Sequence, residues 1–224
     1  MRLADWAKRW DTPARRDTVG EKVKSFINPP PPVKVQILNA IYKLSAQINK
    51  LDFSLAKLNS YDKTLFEKVV DALVQGDKAK ASMYANEVAE VRKMAKTLLT
   101  IRYALERVKL RLDTALVVGD TMKQLAPAVA ALKQVTGYLK GMMPDVFTEL
   151  VEVEESLNIA MMQMTAVAPV QLSSDYVSGE AQAILREASL VAEQKLKQQF
   201  PEIPSIQEAP AALKDLEATV EEGK

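Results

Sequence analysis

Four glutamates crowd one stretch of this chain, Glu149, Glu152, Glu154 and Glu155, and carboxylates gathered on a helix can hold metal ions or move protons. Carboxylate-bridged metal centres in helical bundles usually add histidines from Glu-x-x-His motifs, and this sequence contains no histidine. The four are therefore read as an acidic, solvated helix face. Cysteine is absent as well, which removes thiolate metal sites, thiol catalysis and disulfides and fits a reducing compartment. No phosphate-cradling G-x-x-x-x-G-K-[ST] loop occurs, and a familiar triad has no histidine base. The chain is expected not to be an enzyme and to need no cofactor and no metal.

The residues left to act are cations and aromatic rings, which recognise surfaces. Leu3, Trp6, Ala7 and Trp10 fall at i, i+3, i+4 and i+7, one apolar face of a short helix. Arg2, Lys8 and Arg9 flank that face, a pattern suited to the lipid headgroup region, where indole rings are favoured. The competing reading docks both tryptophans into the core or onto a second subunit. No secretory h-region or cleavage site follows them, and no apolar run approaches the roughly 18 residues that span a bilayer. Further on, Lys43, Lys50 and Lys57 recur every seventh residue, and Arg92, Lys93, Lys96, Arg102, Arg107, Lys109 and Arg111 crowd a second segment. The cations are unevenly shared along the chain. Residues 1–113 carry 22 Lys and Arg against 13 Asp and Glu, whereas residues 114–224 carry 8 against 16. A +9 part joined to a −8 part can fold back on itself, or release its basic part to an anionic surface.

The elements that present these side chains are helices. With 48% hydrophobic residues, 6% aromatics and 7 glycines, the composition suits an all-α fold better than a many-turned sheet. Asn28 and the prolines 29–32 impose an extended linker after the N-terminal arm 1–32. From Val33 the apolar residues step by four and three through Ile37, Ile41, Leu44, Ile48, Leu51, Leu55, Leu58, Leu65, Val69 and Ala72, with Asp62 the single break. A stripe this narrow and this long needs a long partner helix. The next segment supplies it: Tyr84, Val88, Val91, Ala95, Leu98, Ile101, Leu105, Val108, Leu112 and Ala115 form a second seam. Between them Gly76 is placed to end the first helix in the left-handed conformation and Asp77 to cap the second, so the two run antiparallel. Helices over 33–74 and 78–117 would each be about 60 Å long. Gly119-Asp120 interrupts the second arm as a candidate hinge, and Pro127 implies a kink in the following helix or a later start. Helices are expected over 145–165 and 178–199, within an acidic region 119–199. Met161, Met162 and Met164 read first as adaptable packing and second as a partner surface. Phe200-Pro201-Glu202-Ile203-Pro204-Ser205-Ile206 then opens a tail 200–224, extended by its prolines and carrying spaced apolar anchors of the kind that dock into grooves, or serving as a plain linker.

Several strings in this order resemble the ESCRT-III family, and most closely the archaeal CdvB-like cell-division proteins. Residues 75–88, QGDKAKASMYANEV, resemble the start of that family's second helix, Val91-Arg92-Lys93-Met94 continues it, and residues 116–125, LVVGDTMKQL, resemble its glycine-containing joint. The resemblance covers about residues 33 to 165 well and the last helix more loosely. It implies a long antiparallel hairpin followed by shorter helices, extended when polymerised, in a short paralogue without a winged-helix tail. It implies further a filament subunit that assembles with itself and with ESCRT-III paralogues on anionic membrane to constrict or sever a neck, in cell division or vesicle budding. On this reading Leu3, Trp6, Trp10, Arg2, Lys8, Arg9, Lys43, Lys50 and Lys57 meet the membrane. Gly76, Gly119, Arg92 and Lys96 serve polymer contacts and the hinge. Phe200, Pro201, Glu202, Ile203, Pro204 and Ile206 are similar to the Pro-rich motif that engages the MIT domain of a CdvC-like AAA ATPase, although Ala209-Pro210 departs from the motif's usual ending. The implied location is cytoplasmic, peripheral on the inner face of the cell membrane at the division site.

Three other readings stay open at the level of sequence. A phage-shock-protein A or Vipp-type membrane coat shares the hairpin plan but not the Pro-rich tail. A soluble coiled-coil scaffold would bury Trp6 and Trp10 and ignore lipid. Binding of nucleic acid by the basic hairpin would be strongly salt-dependent, as lipid binding is, and no nucleic-acid partner is expected.

Overall fold

The computed structural model describes residues 31–118, 121–167 and 172–200. Five helices follow one another: α1 Val33–Val74, α2 Lys78–Val118, α3 Thr121–Leu139, α4 Pro144–Val167 and α5 Ser174–Gln199. No strand occurs among the described residues.

Each boundary has a local cause. The Pro32 carbonyl accepts from the amides of Val35 at 2.8 Å and Gln36 at 3.1 Å, and so starts α1 where the proline run stops. At the far end Gly76 takes φ +72°. The amide of Gly76 donates to the Leu73 carbonyl at 3.1 Å and that of Asp77 to the Ala72 carbonyl at 2.9 Å, the paired closure of a Schellman turn. The Asp77 Oδ1 then accepts the Lys80 amide at 3.0 Å and begins α2. Pro144 opens α4 at the first helical position, where its missing N–H costs nothing. The Ser173 Oγ caps α5 by accepting the Tyr176 amide at 3.3 Å.

Two expectations shift. The helix α3 runs from Thr121 straight through Pro127, so the later start does not occur; the proline ring is buried, and packing around it holds a helix that propensity alone would end. The helix α5 starts four residues before the expected Ser178, because Ser173 is the capping residue. The hairpin seams are otherwise as read from the sequence. Residues of both stripes are buried, apart from Ile41, Leu58 and Tyr84, which lie half-covered against the core.

The hairpin is the frame and the three shorter helices clothe its base. The helix α2 packs against α1, α3 and α5, while α4 lies along α1 and α3. The main core therefore draws on all five helices, including Leu44, Leu51, Leu105, Leu132, Leu150 and Ile184. Towards the turn only α1 and α2 remain, joined by a separate small cluster of Leu65, Val69, Val88 and Val91. Asp62 sits between the two clusters, 1% exposed.

Candidate functional site

Asp62 interrupts the apolar seam because Arg92 meets it. The Arg92 Nε donates to Asp62 Oδ1 at 2.7 Å and Nη2 to Oδ2 at 3.2 Å, the two-pronged geometry that suits a guanidinium and a carboxylate. One stage nearer the base, the Arg102 Nε donates to Asp52 Oδ1 at 2.6 Å. Each pair lies symmetrically about Asp77 in sequence, as an antiparallel hairpin turning at that residue requires. The seam and the turn were both legible beforehand, and folding the sequence about Asp77 would have paired Asp62 with Arg92.

The cations of α2 farther along are covered by α5. Lys96 Nζ lies 2.5 Å from Glu193, Arg107 Nη2 3.2 Å from Glu187 and Arg111 Nη2 2.6 Å from Glu180. The order of these pairs shows that α5 runs antiparallel to α2. The helix α4 makes the same kind of contact on α1: Lys43 Nζ lies 2.6 Å from Glu152 and 3.9 Å from Glu149, and Gln36 Nε2 donates to Gln163 Oε1 at 3.1 Å. Part of the acidic face of α4 is thus turned to the hairpin and only part to solvent, with Glu155 exposed. The electrostatics follow these contacts. The hydrogen bond from Lys96 and the attraction of its charge hold the Glu193 carboxyl below its ordinary value. The hydrogen bond to Glu152 lifts Lys43 above the usual lysine value despite a lowering from partial burial. Sequence reasoning singled out the cations but none of the α5 glutamates; their signal was Glu180 and Glu187, seven residues apart on one edge of the stripe of Ala181, Ile184, Ala188 and Ala192, with Glu193 on the opposite edge.

The heptad lysines are not equivalent. Lys43 is ion-paired, Lys57 stacks its Nζ 4.4 Å from the Phe53 ring, and Lys50 lines a cleft of about 650 Å³ with Phe53, Met142 and Met143. Lys96 and Arg92 both have partners within the chain. Met161 and Met164 pack on the core, whereas Met162 is exposed. The outward side of α1 exposes Val35, Leu38, Tyr42 and Phe53, with Tyr42 78% exposed, among the exposed Lys34, Lys50 and Lys57. Phe200, expected in the docking tail, belongs instead to the main core, 5% exposed, with the Arg92 guanidinium 5.8 Å from its ring. Leu3, Trp6, Trp10, Arg2, Lys8, Arg9, Gly119, Pro201, Glu202, Ile203, Pro204 and Ile206 lie outside the described residues. Among the described residues no group of histidine, cysteine or acidic side chains is placed to hold a metal, and no helix is long and apolar enough to cross a membrane.

A long basic hairpin with shorter acidic helices laid along it is an ESCRT-III-like architecture. Comparison with known proteins narrows this. Over 174 residues the chain is 39% identical to cell division protein B1 of Sulfolobus acidocaldarius, covering 78% of this chain and 81% of that one. It is 31% identical to cell division protein B of the same organism over 188 residues, 82% of this chain and 72% of the relative. Cell division protein B3 of that organism matches at 27% over 153 residues, 67% of this chain and 87% of the relative. This chain belongs to the CdvB family of archaeal cell-division proteins, of which one organism carries several members. No protein-family model and no solved structure matches it.

Proposed function

We propose that this chain is a filament subunit that polymerises on anionic membrane to constrict or sever the neck in cell division or vesicle budding, and that an AAA ATPase recycles it. The observation that carries this reading is the cover of acidic α5 over the cations of α2. Lys96, Arg107 and Arg111 are satisfied by carboxylates in the closed chain. The same row offers its charge to phospholipid headgroups once α5 leaves, because anions of either source satisfy the same donors. The exposed apolar groups of α1, Val35, Leu38, Tyr42 and Phe53, support lateral packing of one hairpin on another copy or on a paralogue. Trp6 and Trp10 add an interfacial anchor, and release at the Gly119 joint would extend the chain for assembly. The Pro-rich tail gives the MIT domain of the ATPase its grip.

Sedimentation and electron microscopy with and without anionic liposomes test this. Filaments or tubes that co-pellet with lipid are expected, weakened by Trp6→Ala/Trp10→Ala and promoted by removing residues 170–224. A chain that stays monomeric and unbound in every arm, with and without its tail, would replace the reading with that of a soluble scaffold. Changing Ile203 and Pro204 to Asp should abolish binding of the MIT domain, and undiminished binding would move the docking site elsewhere.

A further inference from the structure

The seam of α1 is buried on α2, and the opposite side of the helix, from Lys50 to the turn, lies uncovered. Its residues step by three and four along one stripe, the spacing that a second helix can match. Lys50, Phe53 and Lys57 form the half nearer the base, and Ser60 and Thr64 form the middle. Glu67, Asp71 and Val74 form the half nearer the turn. All are exposed, and among the described residues the side chains of Lys50, Glu67 and Asp71 take part in no ion pair. Charge is thus divided along the stripe, with cations on one half, acids on the other and small groups between them.

We propose that two copies of the chain pair through this stripe, their α1 helices antiparallel and crossing at the level of Asp62. Folding the stripe about that level sets Lys57 of each copy, five residues before it, against Glu67 of the other, five residues after it. Phe53 then faces Asp71, and Lys50, one turn earlier, reaches the same carboxylate. Ser60 and Thr64 meet at the centre, where small side chains let the helix axes approach. Val74 falls opposite Lys50, at the cleft of about 650 Å³ lined by Phe53, Met142 and Met143, and brings an apolar side chain to an apolar site. The contact is about 36 Å long, at 1.5 Å per residue from Lys50 to Val74. A parallel pair in register would set lysine against lysine and acid against acid, which is costly; charges beside a helical seam choose its orientation in this way. The two-fold operation maps the stripe onto itself, so both halves of both copies are satisfied at once and the contact closes. This rests on the copy-to-copy packing proposed above and gives it a face and a polarity.

Sedimentation velocity and disulfide trapping test the pairing on the full chain in solution without lipid. A monomer–dimer equilibrium that weakens as salt is added is expected. Lys57→Glu alone and Glu67→Lys alone should each weaken the dimer about tenfold, since each variant loses and reverses two exposed contacts. The Lys57→Glu/Glu67→Lys chain restores the complement and should restore the dimer. The chain contains no cysteine, so single introduced thiols report the polarity. Under mild oxidation, chains carrying Lys50→Cys mixed with chains carrying Val74→Cys should give the mixed disulfide, and either chain alone should give none. Disulfides between like positions, a dimer indifferent to the single charge changes, or no recovery in the double variant would each overturn the antiparallel pairing. A chain that is monomeric in solution yet forms filaments on anionic liposomes would overturn the pairing and leave the assembly reading intact. A chain that neither pairs in solution nor assembles on liposomes would overturn the assembly reading, and the pairing with it.

Discussion

Removing the Asp62 carboxylate leaves the Arg92 guanidinium in a site that is only slightly open to water, and an uncompensated charge there is costly. Asp62→Ala should lower stability by about 3 to 5 kcal/mol, whereas Asp62→Leu/Arg92→Leu, which removes both charges together, should stay near the parent value. Urea unfolding of the two variants separates them, and equal losses would mean that the site is wet. At the turn, the φ of +72° at Gly76 is a conformation in which a Cβ approaches the following carbonyl. Gly76→Ala should therefore destabilise by about 1 to 2 kcal/mol, although nothing beyond the adjoining residues lies within 4 Å of the added methyl; the cost is local backbone strain and not a clash with a packed neighbour. The turn glycine was legible because helix, glycine and capping aspartate follow in the order a helix end demands. Asp62 was visible as a flaw in the apolar series, and its partner Arg92 follows from the sequence once the antiparallel fold about Asp77 is applied to both seams.

At the scale of the element, the hairpin was the most legible part and the placement of α5 the least. Apolar steps of four and three sustained over ten turns leave one packing solution, and the helix bounds of α1 follow from its flanking prolines and glycine. The amphipathicity of α5 says that it packs, but only the α2 cations say where. Beneath it Ala181, Ile184, Ala188 and Ala192 are buried and Leu185, Leu196 and Phe200 pack on the core, and the ion pairs at the rim add to that apolar hold. Exposed ion pairs are individually weak and screened by salt, so the set is poised to let go. Changing Glu180, Glu187 and Glu193 to Gln should raise the radius of gyration measured by X-ray scattering, and an unchanged radius would show that the apolar contacts alone hold α5. The pH dependence has a definite sign. Glu193 has a folded-state value below its unfolded one, so its contribution is present above the ordinary carboxylate range and is lost as pH falls through the depressed value. Lys43 is raised, so its bond to Glu152 contributes below the ordinary lysine range and is lost as pH climbs through the raised value. Scattering should thus report opening of α5 on acidification and not between pH 6 and 8, where neither group titrates.

On the scale of the whole molecule, the opposite charges of the two parts become a closed form in which acids on α4 and α5 lie along the cations of α1 and α2. A net charge of +1 hides that arrangement, and only the division of the chain into its basic and acidic parts reveals it. The same closure makes stability uneven along the rod. At the base, five helices share one core; beyond Asp62 two helices share Leu65, Val69, Val88 and Val91. Local opening costs least where the fewest apolar contacts must be given up, so backbone amides over residues 66–88 should exchange with solvent well before those of residues 98–112. Assembly would invert the gradient if the tips pack on neighbouring copies, and then protection over 66–88 should rise in filaments while α5 loses it. Hydrogen exchange followed by mass spectrometry on free chain and on lipid-bound filament reads both changes in one experiment. Protection that rises at the base and not at the tip would mean that neighbouring hairpins meet through the outward face of α1 near Tyr42, leaving the tip free to bend.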